Sequence, residues 1–185
     1  EEIEDVILGC ANQAGEDNRN VARMASLLAE LPVKIGGETV NRLCASGMAA
    51  IANGYRAIAI GEGDFYIVGG VEQMTRAPYV LSKSAQPFGR DVQLFDSSFG
   101  WRFINPALQS VYGTEGMGET AENLAEKYQI SRIRQDQFAF NSQSKVAAAY
   151  KANFFNDEII PVEVIKSKHE RYILDKDEFP RENTT

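Results

Sequence analysis

Three side chains among these 185 residues are of the kind that make and break covalent bonds near neutral pH: Cys10, Cys44 and the single histidine, His169. A thiolate is a strong nucleophile, and an imidazole is its usual base. Cys44 follows the strand candidate that Thr39 and Val40 lead into and stands just before the small residues Ala45-Ser46-Gly47. That pattern reads as a strand giving way to a helix. Backbone N–H groups in the first turn of a helix lack an intrahelical acceptor, so they steady a thiolate or an oxyanion beside them. Small neighbours let a substrate reach the sulfur. Cys44 is therefore the candidate nucleophile of a strand–turn–helix site. Cys10, at the end of an apolar run, reads as a small core filler. His169 lies in the polar turn Lys166 to Arg171 and reads as an exposed loop histidine. A mechanism that needs a histidine base must use His169 or a residue outside this sequence. Two cysteines are too few for a disulfide framework, and no zinc or other metal site is expected.

The elements that must position Cys44 follow from periodicity. Asp5 to Leu8 form a short apolar run closed by Gly9, as in a buried strand. A polar loop runs from Asn12 to Asn20, and Val21, Met24, Ala25, Leu27 and Leu28 then recur at helical spacing up to Pro32. Thr39 and Val40 lead into a second strand. From Cys44 to Ile60 only Asn53 and Arg56 strongly interrupt small and apolar residues. A helix apolar all round is expected to be buried on most faces. Phe65 to Val68, closed by Gly69-Gly70, is a third strand. Strand, buried helix and strand within this span form the βαβ pattern of a mostly parallel sheet.

Arg76 to Gly113 is rich in Ser, Pro, Phe and Gly and weakly periodic, as expected of an irregular functional insertion. Helical spacing returns at Ala121, Leu124, Ala125 and Tyr128. Ser131 is placed to cap a further helix, with Asn153 as its left-handed stop. Ile159 to Ile165 and Tyr172 to Leu174 read as a strand pair. There is no internal repeat.

The composition, 44% hydrophobic and 24% charged, is that of a globular chain able to bury a core. A net charge of −7 argues against nucleic acid as a partner. No segment is apolar for the length of a membrane span, so no membrane association is expected. The acidic start, Glu1-Glu2-Ile3-Glu4-Asp5, is the opposite of a signal peptide's basic one, and a cytoplasmic location is expected. Without an initiating Met, and ending on an uncompleted element, the chain reads as processed or as a piece of something longer.

Several motifs agree in order with one family. Val40-Asn41-Arg42-Leu43-Cys44-Ala45-Ser46-Gly47-Met48 resembles the nucleophile motif of the thiolases, which cleave or form 3-ketoacyl-CoA. Gln13-Ala14-Gly15 with Asn20-Val21-Ala22-Arg23 is similar to their early loop. Gly69 to Thr75, Met117 to Asn123, and Asp177 to Arg181 with Thr184-Thr185 are similar to three further segments. Phe99 to Pro106 resembles a stretch in thiolases acting on 3-oxoadipyl-CoA, with general fatty-acid thiolases close behind.

The resemblance implies an incomplete α/β fold: a partial N-terminal core over 1–75, with a mixed sheet and a buried nucleophile helix, and an α+β loop domain over 76–185. It implies a core lacking its first strand and its C-terminal half. Cys44 would carry the acyl group as a thioester in ping-pong thiolysis, yielding acetyl-CoA and a shortened acyl-CoA. Met117 would line the acyl pocket, with Gly116 where the family often has His. Phe179 replaces another usual His and takes no role. Thr39, Val40, Asn41 and Arg42 would lie at a two-fold interface of a homodimer, and many family members form homotetramers through the loop domain. Coenzyme A would be a substrate, with no permanently bound cofactor. The family's Gly-His-Pro, Cys-x-Gly and Asn-Glu-x-Phe motifs do not occur here, and His169 matches none of them. This chain alone is thus expected to be inactive. The alternative is a thiolase-fold chain without turnover. A ketoacyl synthase ranks lower, because its nucleophile motif usually reads Ala-Cys-Ser.

Overall fold

The computed structural model describes residues 3–17 and 19–184. The acidic pair Glu1-Glu2, Asn18 of the polar loop and Thr185 of the closing Thr-Thr lie outside the described residues. By compactness the chain divides into two units, Glu1–Gly116 and Met117–Thr185.

The first unit is built on β1 (Asp5–Gly9), which lies between β2 (Glu38–Val40) and β3 (Tyr66–Gly70). Both pairings are parallel, with Gly9 level with Val40 on one side and Gly70 on the other. Parallel neighbours require crossovers, and two helices supply them: α1 (Val21–Leu28) before β2, and α2 (Ser46–Ala59) before β3. The first crossover steps from β1 to one edge, and the second steps from that edge to the other. Right-handed crossovers moving in opposite directions place the helices on opposite faces of the sheet. Strand alternation agrees. Val6 is buried with Ala22 of α1 and with Ile35, and Leu8 packs on that cluster. Gly9, on the other face, meets the start of α2.

Asn20 closes the front of α1. Its Oδ1 accepts the Arg23 N–H at 3.1 Å and the Thr39 hydroxyl at 2.8 Å, so one cap ties the helix to β2. The Arg23 guanidinium then donates to the carbonyls of Val33, at 2.9 Å, and Ile35, which fastens the return loop.

α2 differs from its expected burial. Only the stripe Ser46, Ala50 and Gly54 is buried, at the i, i+4, i+8 spacing that meets the sheet. Met48 and Tyr55 are 75% and 73% exposed, and Ile51 and Ile58 are also exposed. The sequence made the helix apolar all round, but within this unit only the sheet is available to cover it.

Residues 76–116 are more regular than their composition suggests. β4 (Tyr79–Leu81) pairs antiparallel with β5 (Leu94–Asp96), and α3 (Pro106–Tyr112) follows. Three-residue strands are too short to show a period. The helix start carries a local signal, Asn105 accepting from the N–H groups of Ala107 and Leu108 at 2.9 and 3.3 Å with Pro106 in the first turn, although no helix was expected here. This segment is tied to the loop after β1. Asn12 donates to the Ser97 carbonyl at 2.9 Å and accepts from Arg102 at 2.7 Å. A boundary at Thr75 would fall inside the compact unit.

The second unit comprises α4 (Met117–Lys127), α5 (Arg132–Lys151) and the antiparallel hairpin of β6 (Val162–Ser167) and β7 (Glu170–Leu174). Ser131 caps α5 through the Arg134 N–H, and Asn153 follows its end with φ of 56°. The Tyr150 hydroxyl meets the Asp177 carboxylate at 3.3 Å and the Asp177 N–H at 3.2 Å, which lays the tail along α5. Among the described residues, no helix is long and apolar enough to cross a membrane.

Candidate active site

The loops that leave the carboxyl ends of β1, β2 and β3 meet at one end of the sheet. The loop after β1 leads to α1 on one face of the sheet and the loop after its neighbour β2 leads to α2 on the other, so the chain parts at these carboxyl ends, the usual place for a ligand in such a sheet. Hydrogen bonds fix the loops to one another. The Glu72 carboxylate, after β3, accepts the N–H groups of Ala11 and, at 3.2 Å, Asn12. The Ala11 carbonyl accepts from the Asn41 side chain, after β2, at 3.0 Å.

Cys44 sits in this frame, exposed, two residues before α2. The turn that presents it is bent at Leu43, whose φ is 50°. A branched residue in the left-handed region is held there by its surroundings. Here the Leu43 N–H donates to Asn41 Oδ1 at 3.0 Å, and its carbonyl accepts the Ser46 hydroxyl at 2.6 Å. Neither hold was read from the sequence. The Asn-x-Leu spacing of an Asx-turn was the available signal for the first, and nothing marks Leu43 itself as left-handed.

The expected supply of backbone donors is narrower than a bare helix start offers. The Ala45 and Ser46 N–H groups bond to the carbonyls of Arg42 and Leu43, at 3.1 and 3.0 Å. They shape the turn and are not directed at a ligand. Gly47, next along, faces open space where a Cβ would be. No side chain at that position crowds the start of the helix.

Cys10 is the opposite kind of cysteine. It is fully buried, and its thiol meets Asp17 Oδ2 at 3.5 Å. Burial pushes this thiol up, and the negative charges of Glu72 and Asp17 push the same way, against a lowering hydrogen bond from the Gln13 backbone. It stays a protonated donor, as expected of a filler. Burial also works to raise Asp17, but hydrogen bonds from the Gly15 N–H, the Cys10 thiol and the Gln73 N–H outweigh it and hold the carboxyl below its ordinary value. Cys10, Asp17 and Glu72 bring their ligand atoms within 4.8 Å of one another. The carboxylates already receive N–H donors and the thiol is itself a donor, so the cluster is a knot that fastens loops.

The remaining sequence candidates fall in two places. Val40 ends the edge strand β2, and Asn41 and Arg42 begin the turn to Cys44. Thr39 turns its hydroxyl inward, toward Asn20 and the Ala22 N–H. Met117, 73% exposed, opens the second unit. His169 lies exposed between β6 and β7, and its N–H meets the Ser167 hydroxyl at 3.3 Å.

Comparison with known proteins agrees with this arrangement. The family model described as the thiolase N-terminal domain matches residues 1–185. The chain is 55% identical over 185 residues to a beta-ketoadipyl-CoA thiolase of Pseudomonas putida, covering all of this chain and 46% of the relative. It is 52% identical over 183 residues to the 3-oxoadipyl-CoA/3-oxo-5,6-dehydrosuberyl-CoA thiolase of Escherichia coli K12, covering 99% and 46%. The crystal structure of a Bacillus anthracis acetyl-CoA acetyltransferase superposes with a TM-score of 0.84 at 35% identity, over all of this chain and 45% of that one. The chain thus spans about half the length of the relatives it matches. An exposed cysteine on a bent strand–helix turn, a parallel β2-β1-β3 sheet and a match along every residue lead to one assignment: the chain belongs to the thiolase family, as an N-terminal domain.

Proposed function

We propose that this chain supplies the acyl-carrying nucleophile, Cys44, of an acyl-CoA C-acyltransferase that cleaves 3-ketoacyl-CoA. The observation that carries this reading is the exposed sulfur on a turn bent at Leu43, with open space at Gly47. In thiolysis the Cys44 thiolate bonds to the 3-keto carbon. The C2–C3 bond breaks, and the departing carbon takes a proton to become acetyl-CoA. The thiol of a second coenzyme A then attacks the Cys44 thioester. It carries off the shortened acyl chain and restores the cysteine. The second step exchanges one thioester for another and so stays near balance, and covalent capture separates the carbon–carbon cleavage from release of the acyl chain. Coenzyme A enters as a substrate.

The named activities of the relatives in Pseudomonas putida and Escherichia coli support 3-oxoadipyl-CoA, from aromatic-compound breakdown, ahead of fatty-acid β-oxidation. Met117 lining the acyl pocket belongs to the same proposal. The edge position of β2 supports pairing of two copies through residues 39–42, as a homodimer or as part of a tetramer. The cytoplasm is the proposed compartment. The single histidine lies on an exposed hairpin turn, which supports the further reading that Cys44 takes its base from outside these residues and that the 185-residue chain alone does not turn over.

The test is thiolysis of 3-oxoadipyl-CoA by a protein of the relatives' length that carries this chain, with the Cys44 peptide followed by mass. The expected result is an acyl adduct on that peptide and loss of turnover in Cys44→Ser. Turnover that survives Cys44→Ser would remove the assignment.

A further inference from the structure

We infer that Ser46 is a positioning residue for Cys44, acting through the Leu43 peptide; the inference rests on the reading of Cys44 as the nucleophile. Ser46 is polar yet only 4% exposed. A buried hydroxyl must be hydrogen-bonded, and the direction of its bonds shows what it holds. A serine at a helix start ordinarily accepts an N–H from the turn ahead of it. Ser46 does not: α2 has Ala45 at its cap position and no side-chain cap bond. Both bonds of the Ser46 hydroxyl run backward, across Cys44. It accepts the Arg42 N–H at 2.9 Å and donates to the Leu43 carbonyl at 2.6 Å.

Leu43 is therefore gripped from both sides. Its N–H is held by Asn41, and its carbonyl receives both the hydroxyl and the N–H of Ser46. The left-handed φ of 50° persists because these bonds over-determine it. The peptide that joins Leu43 to Cys44 sets the direction in which the Cys44 side chain leaves the backbone. Without the hydroxyl, the Arg42 N–H loses its acceptor and the Leu43 carbonyl keeps one donor. Leu43 is then released toward the ordinary extended or helical regions, and the sulfur swings away from the open side at Gly47. Helix α2 keeps its own bonds, because none of them passes through the Ser46 side chain.

The test uses the chain itself. Alkylation of Cys44 by iodoacetamide is followed by peptide mass in the folded protein and in urea, for the parent chain, Ser46→Ala and Ser46→Thr. Exchange of the Arg42 amide and of the α2 amides is read by NMR. In the parent chain Cys44, which is exposed, should react readily in the folded state. Ser46→Ala should slow the folded rate roughly fivefold, the factor that corresponds to about 1 kcal/mol for one net hydrogen bond. It should also speed Arg42 exchange and leave α2 protected, and Ser46→Thr, which restores the hydroxyl, should recover the rate. If turnover by a protein of the relatives' length survives Cys44→Ser, the nucleophile reading itself fails. If the parent is fast and Ser46→Ala stays equally fast with α2 intact, the positioning role is overturned. Loss of α2 protection along with the rate, in Ser46→Ala, would make Ser46 a general packing residue and overturn it as well.

Discussion

Gly9 and Ser46 are in backbone contact: a Cβ on Gly9 would lie 2.3 Å from the Ser46 carbonyl carbon and 2.4 Å from the Gly47 nitrogen. The last residue of the central strand thus lets α2 begin directly above the sheet. The distance is too short for any side chain, and the obstacle is main chain, which cannot swing aside. Helix start and strand end are therefore placed together, and with them the Cys44 turn.

That contact sets up a paired prediction. Gly9→Ala should destabilise the first unit by about 2–3 kcal/mol, the upper part of the range for overpacking. Gly47→Ala, whose added Cβ would face open space, should be neutral or stabilising by up to about 1 kcal/mol, because alanine loses less backbone freedom in a helix. Urea denaturation followed by circular dichroism measures both. Equal losses at the two positions would show that the helix does not sit on the strand end as described.

The two cysteines should separate sharply in labelling. Cys44 is exposed, whereas Cys10 is fully buried with its thiol kept protonated. In folded protein iodoacetamide should modify Cys44 first, with Cys10 reacting only through unfolding. Peptide mass over a time course reads the order. Comparable rates in buffer would mean that the first unit opens readily or that Cys44 lacks its expected reactivity.

Much of this was legible in the sequence, for particular reasons. The Ser131 and Asn153 signals marked helix ends correctly because caps are local chemistry, and the Asn20 cap was there to be read in the same way. In the parallel sheet, β1 and β3 were legible as apolar runs closed by glycine, and β2 from Thr39-Val40. Cys44 stood out because residue type and small neighbours coincide there, and the structure places it exposed, just ahead of α2. Other features depend on distant partners and left no local trace. The burial of α2 depends on what lies over it, so an all-round apolar helix was not enough to predict which face is covered. Glu72 clamping the Ala11 and Asn12 amides joins residues some sixty positions apart. The left-handed Leu43 follows from Asn41 and Ser46 acting together, and each alone is an ordinary residue.

Asn20 offers a test of how α1 is joined to the sheet. Its side chain caps the Arg23 N–H, accepts the Thr39 hydroxyl, and also donates to the Gly37 carbonyl at 2.5 Å. Asn20→Ala should destabilise by about 2 kcal/mol, the top of the range for a lost cap, because strand contacts go with it. Asn20→Asp keeps the acceptor and should lose less. Denaturant midpoints rank the three proteins, and a wild-type-like Asn20→Ala would refute the coupling of α1 to β2.

Asp17 and Cys10 should shape stability at opposite ends of the pH scale. Asp17 is held below its ordinary value, so its ionised form is favoured by folding. That stability is present above the ordinary aspartate range, about pH 4, and is lost as pH falls through the lowered folded value. Cys10 is raised, so its protonated form is favoured by folding. That stability is complete below the ordinary thiol value and is lost as pH climbs through the raised folded one. Asp17→Asn should therefore cost about 1–3 kcal/mol at pH 7, from donors left without a charged acceptor, and its gap to the parent should shrink below about pH 4. Cys10→Ala should show a gap that shrinks at the alkaline end instead. Urea midpoints across pH 3 to 10 measure both differences. A parent–Asp17→Asn gap that stays constant through acid would mean that the carboxylate at the foot of the Cys10 loop carries no charge-dependent share of the fold.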